Sequence, residues 1–299
     1  MENFIITITY LLVGMGFKRM NTFPEQTGTV LNLFVIYLSL PALVLLKIPE
    51  LTFSSQILTP VLLPWLLLAV SAGLVLLLCR LLAFDRPTTG CLLLMAPLGN
   101  TSFLGIPMVK AFFGEGAIPY ALLYDQFGSF LALATYGSLI LALYGPAGVR
   151  PDLGSVAKKI GTFPPFLALV VALLLKNSPY PAVVTSLFQA LAATLVPLVM
   201  IAVGYQLTLR LNRAVLGQLG VGLAVKLVAM PLLALLLCRL AGLNDEPARV
   251  AIFEAGMPPM VSAGALAILA DLSPPLTAAL VGVGIILSFA TLPLLHQLL

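Results

Sequence analysis

Apolar runs about as long as a bilayer core is thick recur from one end of the chain to the other, separated by short polar joints. Ten segments can be drawn. The first five cover Phe4–Phe17 (closed by Lys18 and Arg19), Thr27–Ile48, Ile57–Leu82, Pro87–Phe113 and Ala117–Tyr144. The second five cover Phe166–Lys176, Ala182–Leu209, Ala214–Leu240, Pro247–Leu272 and Leu276 to the C-terminus. The runs are continuous rather than alternating, which predicts membrane-spanning helices and not the strands of a barrel. The longest polar joint, GPAGVRPDLGSVAKKIGTFPP, separates the fifth segment from the sixth.

The two halves share features in register. LLLCRLLAFDRP (Leu76–Pro87) and LLLCRLAGLNDEP (Leu235–Pro247) sit at the same joint of each half, and Pro41 and Pro197 fall in equivalent second segments. A five-span unit used twice places its second copy upside down. The expected fold is therefore an all-α polytopic membrane protein: ten transmembrane helices as two inverted repeats, residues 1–150 and 151–299.

Two segments carry breaks where a spanning helix should run on. The fourth contains APLGNTSFLGIPMV (Ala96–Val109), with Gly99, Gly105 and Pro107 loosening the ladder around Asn100, Thr101 and Ser102. The ninth contains GMPPMVS, which places Met257, Pro258, Pro259 and Ser262 at mid-span. A break in hydrocarbon strands peptide groups at several kcal/mol each unless protein or a wet cavity satisfies them. Paired discontinuous helices at matching positions point to a midplane binding site, where helix ends offer N–H donors to a carboxylate and C=O acceptors to a cation. Those nine residues other than Gly99 are the candidate substrate contacts.

Composition agrees: 61% hydrophobic and 9% charged residues, with mean hydropathy +1.11, cannot cover a soluble domain. The net charge of +4 comes from scattered Lys and Arg, so nucleic acid is not an expected partner. Their bias towards Lys18, Arg19, Arg80, Arg86, Arg150, Lys158, Lys159, Arg210 and Arg213 predicts cytoplasmic odd-numbered joints and external termini. The first run lacks a basic leader and a small-residue cleavage site, and reads as a retained helix. Cys79, Cys91 and Cys238 have no metal-ligand spacing, and the single His296 has no partner motif. No enzyme and no cofactor are expected.

Charges inside spans cost about 3 kcal/mol or more, which makes each a functional candidate. Glu254 lies one turn before Pro258; Asp125, with Gln126, makes segment five polar; Lys226 is mid-span in segment eight. Coupling to a proton, or to sodium held by Asn100 and Glu254, is one role for this group; an internal ion pair of Lys226 is the plainer one.

GNTSFLGIPMV resembles the fourth-helix signature of the auxin efflux carrier family, FEAGMPPMVSAGALA resembles its ninth-helix run, and LSFATLPLL its ending. The resemblance covers essentially the whole chain and lacks the long central loop of the plant carriers. It implies a crossed-helix fold shared with bile-acid sodium symporters. A dimerising scaffold (about 1–50 and 163–210) would carry a mobile transport domain (about 55–145 and 213–299). Ser102 stands where Gly is commoner, and Asn100 precedes Thr101 rather than Pro, which counts against auxin itself. The function implied is alternating-access transport of a small organic anion, an indole acid or a dicarboxylate such as malate or malonate, in the cell membrane. A channel or a non-transporting carboxylate sensor is the alternative.

Overall fold

The computed structural model describes residues 2–51, 54–146, 153–176, 178, 180–207 and 213–299. Arg150 and Arg210, on which part of the orientation rests, lie outside the described residues, as does the boundary between the two halves. Among the described residues every regular element is a helix, and the β-type pairing is one isolated bridge. In chain order the helices are α1 (Glu2–Lys18), α2 (Thr27–Lys47), α3 (Ser55–Leu81), α4 (Arg86–Met95) and α5 (Thr101–Phe113). They continue with α6 (Glu115–Tyr144), α7 (Leu153–Gly161), α8 (Pro164–Leu174) and α9 (Ala182–Gln206). The last four are α10 (Arg213–Leu240), α11 (Glu246–Ala255), α12 (Val261–Leu269) and α13 (Pro274–Leu298).

Six of these, α2, α3, α6, α9, α10 and α13, are long and apolar enough to cross a bilayer; α7 and α8, bent by 63° at their joint, make a seventh if they count as one span. The protein is a polytopic helical membrane protein. The polar joint of the sequence thus contains a helix, α7, whose Lys158 and Lys159 lie in its last turn.

Three prolines that interrupt spans are accommodated in one way. Pro41, Pro107 and Pro231 each follow a five-residue π-helical turn, at Val35–Ser39, Thr101–Gly105 and Val225–Ala229. Proline has no N–H and its ring collides with the carbonyl four residues back. In each case that carbonyl, of Tyr37, Phe103 or Leu227, sits inside the widened turn. Widening moves it aside, so the span continues.

The sequence match between the halves is a match of turns. After α3, Ala83 takes φ 50° and the Phe84 N–H reaches the Cys79 carbonyl at 3.0 Å; after α10, Gly242 takes φ 70° and the Leu243 N–H reaches Cys238 at 2.8 Å. This is the left-handed C-terminal cap that consumes orphan carbonyls. Asp85 and Asp245 then cap the next helices, accepting from the Thr88 and Ala248 N–H groups at 2.9 Å each, with proline in the first turn. Such a cap is worth about 1 kcal/mol.

The chain divides into two compact units: residues 1–55, 102–122 and 158–207, and residues 56–101, 123–157 and 208–299. In the first unit α1 lies along the second half of α9, and α2 packs on α8 and α9. Glycines set the α1–α9 spacing. A Cβ on Gly14 would overlap the Ile201 carbonyl, and one on Gly204 would overlap the Leu11 carbonyl. Backbone therefore touches backbone, the close approach that small residues permit in lipid. The Ser39 and Thr194 hydroxyls, 2.7 Å apart, tie α2 to α9, and Lys18 donates to the Leu207 carbonyl at 2.7 Å.

In the second unit α4 and α11 are the most enclosed elements. Every residue from Val250 to Ala255 is buried, as is every residue of α4 from Gly90 to Met95. Helices α3, α10 and α13 pack on α11, while α12 and α13 pack on α4. Gly204→Ala should lower the thermal unfolding temperature of the detergent-purified protein, since forcing α1 off α9 costs about 1–3 kcal/mol. Gly16→Ala, where a Cβ meets nothing within 4 Å, is the matched control and should not.

Candidate functional site

Helix α4 stops at Met95, turns through Ala96 and Pro97, and runs extended over Leu98–Asn100 before α5 begins. Helix α11 stops at Ala255 and runs extended through Pro258–Met260 before α12. The two extended pieces lie antiparallel, bridged at Gly99 and Pro259. The Asn100 N–H donates to the Pro258 carbonyl at 2.8 Å, and the Met260 N–H donates to the Leu98 carbonyl at 3.0 Å. Each break supplies the partner the other lacks. Pro258 and Pro259 add no N–H to be satisfied, so the pair of prolines lowers the demand for donors. The fourth-segment break falls at residues 96–100, ahead of Gly105 and Pro107, which are buried inside α5.

Polar side chains gather where the breaks meet. Asn100 is 2% exposed and its side-chain Nδ2 has no partner. The Thr101 hydroxyl donates to Asp125 Oδ1 at 2.6 Å, and Gln126 Nε2 donates to Asp125 Oδ2 at 2.7 Å. Donors thus converge on both oxygens of one carboxylate at short range. Asp125 and Gln126 come from a further π-widened stretch, Tyr124–Phe130 of α6. Glu254, on the last turn of α11, is fully buried and both its oxygens lack a hydrogen-bond partner. Asp125 and Lys226 lie within electrostatic reach of it. The Lys226 ammonium donates to the Ala255 carbonyl at 3.0 Å rather than to that carboxylate.

The structure thus brings together Asn100, Thr101, Asp125, Gln126, Lys226, Glu254, Met257, Pro258 and Pro259 in the second unit. Ser102, Gly105 and Pro107 belong to the first unit, with α5, and Ser262 is exposed on α12. A cavity of about 20 Å³ abuts Gly99, Tyr124, Ser129, Lys226 and Glu254. It has room for about one water molecule. Among the described residues no three His, Cys, Asp or Glu side chains gather as metal ligands.

The larger space is in the first unit. A cavity of about 520 Å³ is lined by Asn3, Thr7 and Tyr10 of α1, Lys47 at the end of α2 and Glu50 beyond it, Pro107 and Lys110 of α5, Glu115 and Gln189. At its rim Lys47 pairs with Glu50 at 3.1 Å and Lys110 with Glu115 at 2.8 Å. Of these, the sequence reading named only Pro107 as a site residue. The stripe of polar groups at positions 3, 7 and 10, on one face of a mostly apolar helix, was the available signal.

Two broken helices closed on each other inside a bundle of apolar spans are the framework of a polytopic helical membrane protein. The chain matches the model of the membrane transport protein family over residues 1–148 and 149–296, and it belongs to that family, which is the auxin efflux carrier family. It is 26% identical to an uncharacterized transporter of Methanothermobacter thermautotrophicus, covering 98% of this chain and 96% of the relative. It is 27% identical to an uncharacterized transporter of Methanocaldococcus jannaschii, over 86% and 85% of the two chains. A protein of Rhizobium meliloti named "Putative malonate transporter" is 28% identical over 78% of this chain and 75% of its own.

Thr101→Val removes a short hydrogen bond to the buried Asp125 carboxyl and should cost about 1–3 kcal/mol, the penalty of leaving a buried polar group short of a partner. Thr101→Ser keeps the hydroxyl and should retain most of the wild-type melting temperature.

Proposed function

We propose that the protein is a secondary carrier that moves a small organic anion across the cell membrane by alternating access. The observation that carries this reading is the reciprocal closure of the two breaks at Gly99 and Pro259 with an unpartnered buried donor, Asn100 Nδ2, beside it. A buried donor left dry costs about 1–3 kcal/mol, which a visiting carboxylate oxygen would recover. The first-unit cavity, lined by Pro107 and Lys110, has the volume of small-molecule sites and supports a compact solute. Family membership supports transport, and the name of the Rhizobium meliloti relative favours a short dicarboxylate such as malonate or malate over an indole acid.

In this reading the chain makes ten spans as two inverted repeats. The family match, divided between residues 148 and 149, supports that boundary. Residues of about 1–50 and 163–210 form a scaffold that dimerises, and about 55–145 and 213–299 form the part that moves. Helix ends at the crossing and Asn100, with Thr101, Ser102, Gly105, Pro107, Met257, Pro258, Pro259 and Ser262, contribute to solute binding. Both termini are external.

Counterflow in proteoliposomes tests it. Unlabelled malonate inside should drive saturable uptake of labelled malonate or malate from outside, and Asn100→Ala should reduce that uptake about tenfold, the effect of losing roughly 1.4 kcal/mol. Flux without saturable exchange would make the protein a channel, binding without flux a sensor, and an unchanged Asn100→Ala would remove that residue from the site.

A further inference from the structure

Three ionisable side chains are enclosed at the crossing: Asp125 at 1% exposure, Lys226 at 3% and Glu254 at 0%. The charge of Asp125 is met by Thr101 and Gln126. Glu254 receives no donor, and it stands on the last turn of α11, whose carbonyl end carries the negative pole of the helix. A carboxyl group without a donor and the Ala255 carbonyl at that helix end call for one positive charge. Lys226 brings it. Its stem leaves the π-widened turn Val225–Ala229 of α10, and its ammonium ends 3.0 Å from the Ala255 carbonyl.

The position is built, because space has been cleared for it on the opposite strand. A Cβ on Gly99 would stand 3.0 Å from Nζ and 3.4 Å from Cε of Lys226. Glycine at the bridge is thus the slot through which the ammonium reaches the crossing. What remains beside it is the cavity of about 20 Å³, enough for about one water and too small for a hydrated metal ion.

We infer that the Lys226 ammonium is the permanent cation of the crossing, holding by covalent attachment the place that an exchangeable sodium ion would otherwise have to fill. A tethered charge cannot be released to either side, so solute movement draws nothing from a sodium gradient. The role of Gly99 follows as well: it keeps the bridge narrow enough to close and open enough to admit the lysine. This inference uses the crossing assigned above to transport, but it makes its own prediction about folding that needs no solute.

The test is thermal unfolding of the purified protein in sodium chloride and in choline chloride of equal ionic strength. Wild type should melt at the same temperature in both. Lys226→Ala should melt lower by roughly 5 °C or more in choline, the scale expected when one partner of a buried charge set is removed. Sodium or methylammonium, small enough to enter the vacated space, should restore part of that loss. The double variant Lys226→Ala/Glu254→Gln should recover without any small cation, and its recovery supports the inference even if the single variant cannot be purified. Stabilisation of wild type by sodium over choline would overturn it. So would an unchanged melting temperature in Lys226→Ala, or a loss that neither small cations nor Glu254→Gln relieves. Failure of malonate counterflow would sink the choice of solute while leaving these melting curves to decide the lysine.

Discussion

A peptide group inside a membrane has no water to fall back on, and that constraint organises the second unit. Two helices are interrupted at depth, yet the Asn100 N–H and the Leu98 carbonyl are both consumed by the other break. A hydrogen bond in such a medium is worth about 4–6 kcal/mol against none at all, far more than its net value in water. Neither break would survive alone. Together they form a miniature antiparallel pair, and the buried faces of α4 and α11 are what hold the two ends in line.

The same scarcity of water governs the charges. Asp125 is acceptable because two donors converge on it, and Lys226 because a helix terminus awaits it. Each solution depends on a local departure from α-helix, since Asp125 and Gln126 sit in the π-widened Tyr124–Phe130 and Lys226 in Val225–Ala229. A regular 3.6-residue turn spaces side chains evenly around the axis; a wider turn re-aims one or two of them. Buried polar side chains and irregular backbone therefore coincide here.

Much of this architecture was legible in the chain. Apolar length gave the long helices, because lipid imposes a length that side-chain chemistry alone must meet. Gly and Pro marked the breaks, though Gly105 and Pro107 drew the fourth-segment break too far along: a proline preceded by a π turn bends a helix without stopping it, and no residue pattern distinguishes the two outcomes. The matching LLLCR joints encoded a shared cap, visible in sequence as Asp followed two residues later by Pro. The first-unit cavity was not legible. It is lined by pieces of α1, α2, α5 and α9 that only packing assembles, and by lysines whose glutamate partners lie three to five residues on, beyond the end of the lysine's own helix. The helix within the long joint, α7, was hidden by its polar composition.

The widened turns ahead of Pro41, Pro107 and Pro231 each hold one residue more than a regular turn would. Excising a single residue from any of them would rewind the turn to a regular one and drive the proline ring into the carbonyl four residues back. Insertions and deletions are ordinarily tolerated at loop tips and nowhere else in a membrane helix. Here the intolerance is sharpest at mid-span, so the count of residues between these turns and the crossing is as fixed a property of the protein as their identity.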